Sequence, residues 1–292
     1  GRLPAMDKRK RGNIFSSTAA MIQGNLDAFW RTPRTLLMMV FIVCCCFLTV
    51  RGYATGLARK NYTMNMEESI AWFLMTGFNS FNLTSVTFLI MVSELPRRIP
   101  FQQYTLIRST RVRWIVAQML YCLLLVVLML VVLIALTALM LIPVVVQGKG
   151  WSDNVRIAAG EMPELSYVSA WIRQNLTPIQ TSLLSIVPIF LFWLTMTWSI
   201  LLCGLLGYGP QGVILYSVVL MLDTILMVDT PDFFLPKMWA LFRLIVVSHP
   251  KQEWSAYIKM VCGYMLIDAA LAGVLVVVAK RMEMPIYAAN KN

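Results

Sequence analysis

Few side chains in this chain can do chemistry, and their placement is informative. Asp223 and Asp268 are the only acids well inside long apolar stretches. An ionisable residue at membrane depth is by default a candidate for function. Both are candidates for a substrate path, with a protonated or hydrogen-bonded structural acid as the alternative. Asn79 and Asn82, three residues apart, share one face of a helix, where amides either hold helices together or line a pathway. The single histidine, His249, has no partner cluster. The six cysteines (Cys44, Cys45, Cys46, Cys122, Cys203 and Cys262) all lie in apolar stretches, so no loop pair suggests a disulfide. Adjacent thiols at 44–46 point around a helix rather than at one ion, and no metal site is expected. No catalytic constellation is present either. The "GKG" at 148–150 lacks the glycine spacing and the following Ser or Thr of a phosphate loop, so no nucleotide site is expected in this chain.

The remaining chemistry is concentrated in "SELPRRIPFQQYTLIRSTRVRW", Ser93–Trp114, which carries five arginines, two prolines and one glutamate. Pro100 suits the first turn of a short helix. Phe101, Tyr104 and Ile107 then form an apolar stripe flanked by Arg108 and Arg111, a surface suited to docking another protein. The plainer alternative is that the arginines enforce topology and hold anionic lipid.

The elements that position these groups follow from composition. Of 292 residues, 59% are apolar and only 13% are charged, where soluble domains carry about 25% charge. Several stretches approach or exceed the roughly 20 apolar residues that span a bilayer. The expected fold is an all-α membrane protein with six transmembrane helices, at about 35–50, 70–93, 114–146, 181–206, 210–228 and 258–279. Residues 1–34 are expected to form a basic cytosolic approach and an interfacial amphipathic helix, with Ile14, Phe15, Met21, Ile22, Leu26, Phe29 and Trp30 at helical spacing. Residues 35–292 then form the membrane domain. The segment 233–247 is short, broken by Pro236 and carries Lys237 and Arg243, so an outer re-entrant or interfacial piece is expected there. With both termini cytosolic, the inner segments hold fifteen Lys/Arg and four acids, against ten (with Lys259 at the outer edge of the last span) and eight outside. The sequons at Asn61, Asn82 and Asn175 are weak signals, and a bacterial source, the expectation here, would leave them unused.

This layout resembles the ABC-2 type permease family, the membrane subunits of ATP-driven exporters. The resemblance rests on the amphipathic N-terminus, six spans, a tight link ("GYGP") between spans four and five, and the broken outer segment. In the loop after span two, Glu94, Arg97, Arg98, Leu106, Arg108, Ser109, Arg111 and Trp114 stand in an arrangement like the family's; "LPRRIPFQQ" replaces its usual glycine-threonine pair. The resemblance implies that 94–113 is a cytosolic coupling helix docked into a separate ABC ATPase subunit. Glu94, Arg97, Arg98, Phe101, Tyr104, Ile107, Arg108 and Arg111 would form that contact. It further implies a second permease copy or a sister permease, and it inclines Asn79 and Asn82 toward lining the path. ATP and Mg would be held by the partner, no cofactor by this chain. Because no array of charges suits an ionic solute, lipids, amphipathic peptides or antibiotics are the expected cargo, moved across the cytoplasmic membrane. The alternative is a polytopic protein of another kind, such as a secondary transporter or a membrane scaffold or sensor subunit. Nothing suggests nucleic acid as a partner, and the chain is not expected to be an enzyme by itself.

Overall fold

The structure, a computed structural model, describes residues 9–59, 63–75, 77–96, 110–142, 145–146, 148–152, 174–229 and 254–281. It is a bundle of eight helices in these residues: α1 (Arg9–Arg31), α2 (Pro33–Arg59), α3 (Met66–Met75), α4 (Gly77–Val92), α5 (Arg111–Leu141), α6 (Pro178–Leu205), α7 (Gly209–Asp229) and α8 (Trp254–Arg281). Two short strands, β1 (Met64–Asn65) and β2 (Val145–Val146), pair in parallel with Met64 opposite Val145.

Three helices are long and apolar enough to cross a bilayer: Arg111–Leu141, Pro178–Leu205 and Tyr257–Arg281. A fourth is added if Thr18–Arg31 and Pro33–Leu48, which meet at 69°, are taken as one bent span. The other predicted spans, 35–50, 70–93 and 210–228, fall on α2, on α3 with α4, and on α7. The third predicted span, 114–146, differs at its end. The helix stops at Leu141, and Val145–Val146 is extended and paired with β1. Pro143 in the sequence has no amide hydrogen to continue a helical ladder, which accounts for the stop. The predicted outer segment 233–247 lies outside the described residues.

Helix starts and stops are set by local chemistry. Thr110 caps α5, its hydroxyl accepting from the Arg113 N–H at 3.4 Å. Thr177 caps α6 in a reciprocal capping box with Gln180, and Pro178 occupies the first helical position. At the far end of α6 the Tyr208 N–H reaches the Cys203 carbonyl at 2.7 Å and the Gly207 N–H reaches that of Gly204 at 3.3 Å. Gly207 sits at φ +87°, so this is a Schellman stop that turns the chain directly into α7.

Apolar groups face both ways. Leu36, Leu37, Val40 and Leu48 on α2, Val131 on α5, Met221 on α7 and Leu266 on α8 are exposed. Helices that are apolar all round and cover their outer face with such residues belong in lipid. The core lies around α6, which packs against α3, α4, α5, α7 and α8. Its Trp193 is fully buried, donates its indole N–H to the Ser85 hydroxyl at 2.8 Å, and lies 4.9 Å from the Phe88 ring. Pro188 interrupts the amide ladder of α6 and frees the Leu184 carbonyl, four residues back. The Tyr257 hydroxyl of α8 donates to that carbonyl at 2.9 Å. A proline in a lipid-embedded helix is tolerated where a neighbour supplies the missing donor.

Glycines give a sharp test of this packing. A side chain added at Gly204 would run into the Leu95 carbonyl and Pro96, whereas Gly263 and Gly273 on α8 have open space. Gly204→Ala is therefore expected to lower the unfolding midpoint in detergent, and Gly207→Ala to cost about 1–2 kcal/mol through left-handed strain. Gly263→Ala and Gly273→Ala should be neutral or stabilise by up to about 1 kcal/mol. Equal effects at all four positions would contradict this placement of the α6 terminus.

Candidate functional site

The two ends of the bundle are built differently. At one end, where Glu94 and Arg111 of the predicted coupling segment lie, Arg34 at the start of α2 reaches across to the end of α4. Its guanidinium donates to Glu94 Oε1 at 2.9 Å and to Ser93 Oγ at 2.5 Å. The turn that begins with Ser93 is drawn in against α6: Leu95 N–H bonds Val92 O at 3.1 Å, Leu95 is buried, and Pro96 lies over Gly204. Around this contact opens a cleft of about 550 Å³ lined by residues including Thr32, Ser93, Glu94, Pro96, Gly204 and Gly209. Small residues create the room. At the base of α5, Arg111 donates to the Lys280 carbonyl of α8 at 3.3 Å, tying the start of one helix to the end of another.

Of the predicted coupling residues, Glu94 and Arg111 are thus brought to the same end, both exposed. Arg97, Arg98, Phe101, Tyr104, Ile107 and Arg108 lie outside the described residues. Arg34, a basic residue just ahead of the first predicted span, is the partner of Glu94. Nothing in its local sequence marks that role, since the two residues are sixty positions apart.

Of the predicted path residues, Asn79 and Asn82 lie on α4 and Asp223 on α7, helices that pack against each other; their side chains are outside the described ones. Asp268 is on α8, buried, and its Oδ1 lies 2.7 Å from the hydroxyl of Thr195 on α6. One turn toward the cleft, Tyr216 of α7 donates to Ser199 of α6 at 3.0 Å. Gln118 on α5 is fully buried, and neither end of its amide has a hydrogen-bond partner among the described residues.

At the opposite end, acids hold backbone. Glu68, outside the predicted span 70–93, is buried at the start of α3 and accepts from the Asn65 N–H at 3.1 Å and the Ser152 hydroxyl at 2.9 Å. It accepts from the Ser152 N–H as well. Glu67 accepts from the Gly150 N–H at 3.3 Å, and the Asn65 amide donates to the Gly150 carbonyl at 2.8 Å. The Trp151 indole donates to Leu176 O at 2.7 Å, just before α6 begins. Five short contacts therefore pin 148–152 between β1, α3 and the entry to α6. Nothing in the sequence sets Glu67 and Glu68 apart, because they sit at a helix start, where acids are ordinary.

Among the described residues no group of three or more His, Cys, Asp or Glu could hold a metal ion. No family model matches the chain, and neither a curated protein nor a solved structure does.

Burial pushes the Glu68 carboxyl up to about 7, against the pull of its hydrogen-bond donors at Asn65 and Ser152 and with a smaller push from Glu67. A carboxyl raised in the folded state above its ordinary 4.5 contributes stability that is complete below that value and is lost as pH rises through about 7. Thermal unfolding in detergent should accordingly occur at a higher temperature near pH 5 than near pH 8, by about 5 °C or less, as the loss of one such contribution allows. Glu68→Gln should flatten that dependence. A wild-type midpoint that rises across the same interval would reverse the assignment.

Proposed function

We propose that this chain is the membrane subunit of an ATP-driven exporter of the ABC-2 type, with six spans and both termini in the cytosol. The ATPase is a separate polypeptide that docks on 94–113 and brings its own ATP and Mg. The observation that carries this reading is the Arg34–Glu94–Ser93 clamp. It fixes where the arginine-rich segment leaves α4, beside an open cleft and on the same end as Arg111 and the close of α8. A segment whose exit is held in place offers a partner a defined platform, which lowers the ordering cost of docking. The exposed pair itself is worth only about 0–1 kcal/mol to stability, so its value lies in position rather than strength.

Movement of the ATPase pair, transmitted through 94–113, would tilt α4 and α5 and reorient the spans. Substrates that partition into the bilayer, such as lipids, amphipathic peptides or antibiotics, suit a chain whose path candidates are the amides Asn79 and Asn82 and the isolated acids Asp223 and Asp268. A second copy or a sister permease would complete the pathway, since ABC ATPases act in pairs. The two ends of the bundle accord with this topology. Arginines and lysines gather at the Arg34–Glu94–Arg111–Lys280 end, while the opposite end is held by the neutral and acidic contacts of Glu67, Glu68 and Asn65.

Two experiments test the proposal. For topology, Gly160→Cys should react with an impermeant reagent added outside, and Gln103→Cys should not; labelling of Asn292→Cys from outside would require an odd number of spans. For docking, Phe101→Ala combined with Tyr104→Ala keeps every arginine, so insertion should survive. Loss of two anchors, at roughly 1–2 kcal/mol each, should weaken ATPase association about 30- to 1000-fold in pull-down and turnover assays. Arg108→Lys and Arg111→Lys should also impair docking, because lysine cannot make arginine's two-pronged contact with a carboxylate, whereas Arg97→Lys and Arg98→Lys should not. Preparations that never associate with an ATPase would favour a secondary transporter or a scaffold subunit instead.

A further inference from the structure

The buried carboxyl of Asp268 is met by a hydroxyl that has two places to put its proton. Thr195 Oγ lies 2.7 Å from Asp268 Oδ1 and 2.9 Å from the Leu191 carbonyl, one turn back on α6. A threonine hydroxyl carries one hydrogen and can accept through its oxygen. If that hydrogen points to Asp268, the carboxyl is charged and accepts it. If it points to Leu191, the contact at Asp268 requires a proton on the carboxyl, which then donates to the threonine oxygen. Both states are satisfied at Oδ1 by a hydroxyl rotation alone. The second oxygen, Oδ2, is buried and has no hydrogen-bond partner among the described residues, so permanent ionisation would leave half the charge unmatched.

A second observation concerns access. Thr195, Ser199 and Cys203 follow one another every fourth residue along α6 and so share a face, which leads toward the stop at Gly207. Ser199 on that face receives the Tyr216 hydroxyl, and Gly207 lines the open cleft. The hydroxyl-bearing face thus runs from the Asp268 layer to the end of the bundle where the cleft admits water.

We propose that Asp268 and Thr195 form a buried proton-binding site, reached along this face of α6 from the cleft. The step is simple: the carboxylate takes one proton from a hydronium ion, water is left behind, and the Thr195 hydroxyl turns to Leu191; release is the reverse. The site goes beyond the exporter reading and does not depend on it.

Among the described residues, the groups around Asp268 leave the proton as the available counterion. From α7, the Tyr216 phenol lies within electrostatic reach, and from α6 the Cys203 thiol is on the same face. On α5, Tyr121 and Cys122 are buried, and on α8 Tyr264 precedes Asp268 by one turn. Along α5, α6 and α8 the basic groups are Arg111, Arg113, Lys259, Lys280 and Arg281, all within the first or last two turns of their helices and two or more turns from Asp268. Asp223 stands two turns beyond Tyr216 on α7.

The probe is a membrane-permeant carbodiimide, which attacks neutral carboxylic acids in apolar surroundings, applied to the full-length protein in lipid vesicles over a pH series. Modified residues are located by peptide mass spectrometry. Asp268 should be labelled at acidic pH, with labelling falling at least tenfold as pH rises. Thr195→Val removes the hydroxyl that favours the charged form and should move the midpoint of that fall upward by roughly one pH unit, since hydrogen bonds to charged groups are the stronger ones. Thr195→Ser should restore the wild-type midpoint, which a merely structural role would not require. No labelling of Asp268 at any pH, labelling that does not vary with pH, or an unchanged midpoint in folded Thr195→Val would overturn the proposal. The readout needs no ATPase, so failure of the exporter reading leaves it intact.

Discussion

Every polar group that α6 carries into the apolar bundle has to find its partner there, and this constraint organises the rest of the structure. Lipid offers no donors or acceptors, and an unsatisfied group costs several kcal/mol. Helix α6 nevertheless carries Pro188, Thr181, Ser185, Thr195, Thr197 and the Trp193 indole through its buried face. Most hydroxyls turn back on their own helix: Thr181 to Thr177, Ser185 to Thr181 and Thr197 to Trp193, each at 2.9–3.0 Å. Groups that cannot do so become fixed points between helices. Trp193 must have Ser85 of α4, and the carbonyl freed by Pro188 must have Tyr257 of α8. These two bonds set the depth of α4 and α8 relative to α6. Hydrophobic burial cannot do this, because sliding one apolar helix past another in lipid changes little apolar exposure.

The ends of the bundle then follow from what the depth of α6 allows. Where α6 stops, Gly204 and Gly212 remove the side chains that would keep the Leu95–Pro96 turn and α7 away. Close backbone approach here is bought by small residues, as in other membrane helix contacts. Where α6 starts, Trp151 reaches the Leu176 carbonyl, so the capping box and the loop pinned by Glu68 form one unit. One end is closed by backbone captured on carboxylates and the other is left open as a cleft. That asymmetry gives the molecule a tight side and a receptive side.

The three long apolar helices α5, α6 and α8 are legible in the sequence, because apolar stretches of this length admit few readings. The predicted span 70–93, by contrast, falls on two helices, α3 and α4. Boundaries are less legible. Thr177–Pro178 and Gln180 spell a capping box and extend α6 three residues upstream of the predicted 181, a signal present in the sequence but outweighed there by hydropathy. Hydropathy carries the expected end of α5 on to Val146, whereas the helix stops at Leu141, ahead of Pro143. Asp268 was legible as a buried acid, since any acid so far inside an apolar run must be accommodated. Its partner was not, because Thr195 is one of several threonines on α6 and only the crossing of α6 with α8 selects it. Arg34–Glu94 and Glu68–Ser152 were illegible for the same reason: each joins residues far apart in sequence. Long-range polar pairs leave no periodic trace, whereas apolar faces do.

The clamp at Arg34 also shows why an exposed ion pair can matter where its energy is small. Both side chains face solvent, so water and salt compete with the contact and its net worth is slight. Yet Arg34 is the second residue of a helix that begins at a sharp corner, and Glu94 is the second residue past α4. Neither side chain has much backbone freedom left to lose, because each is anchored one turn or less from a rigid helix. The ordering cost that usually cancels a surface pair is therefore already met by the helices. What the pair adds is direction: of the orientations open to the chain after Val92, it favours the one in which Leu95 is buried and Pro96 covers Gly204. The buried contact supplies the energy, the ion pair selects the register, and the arginine-rich segment that follows begins from a fixed point beside the cleft.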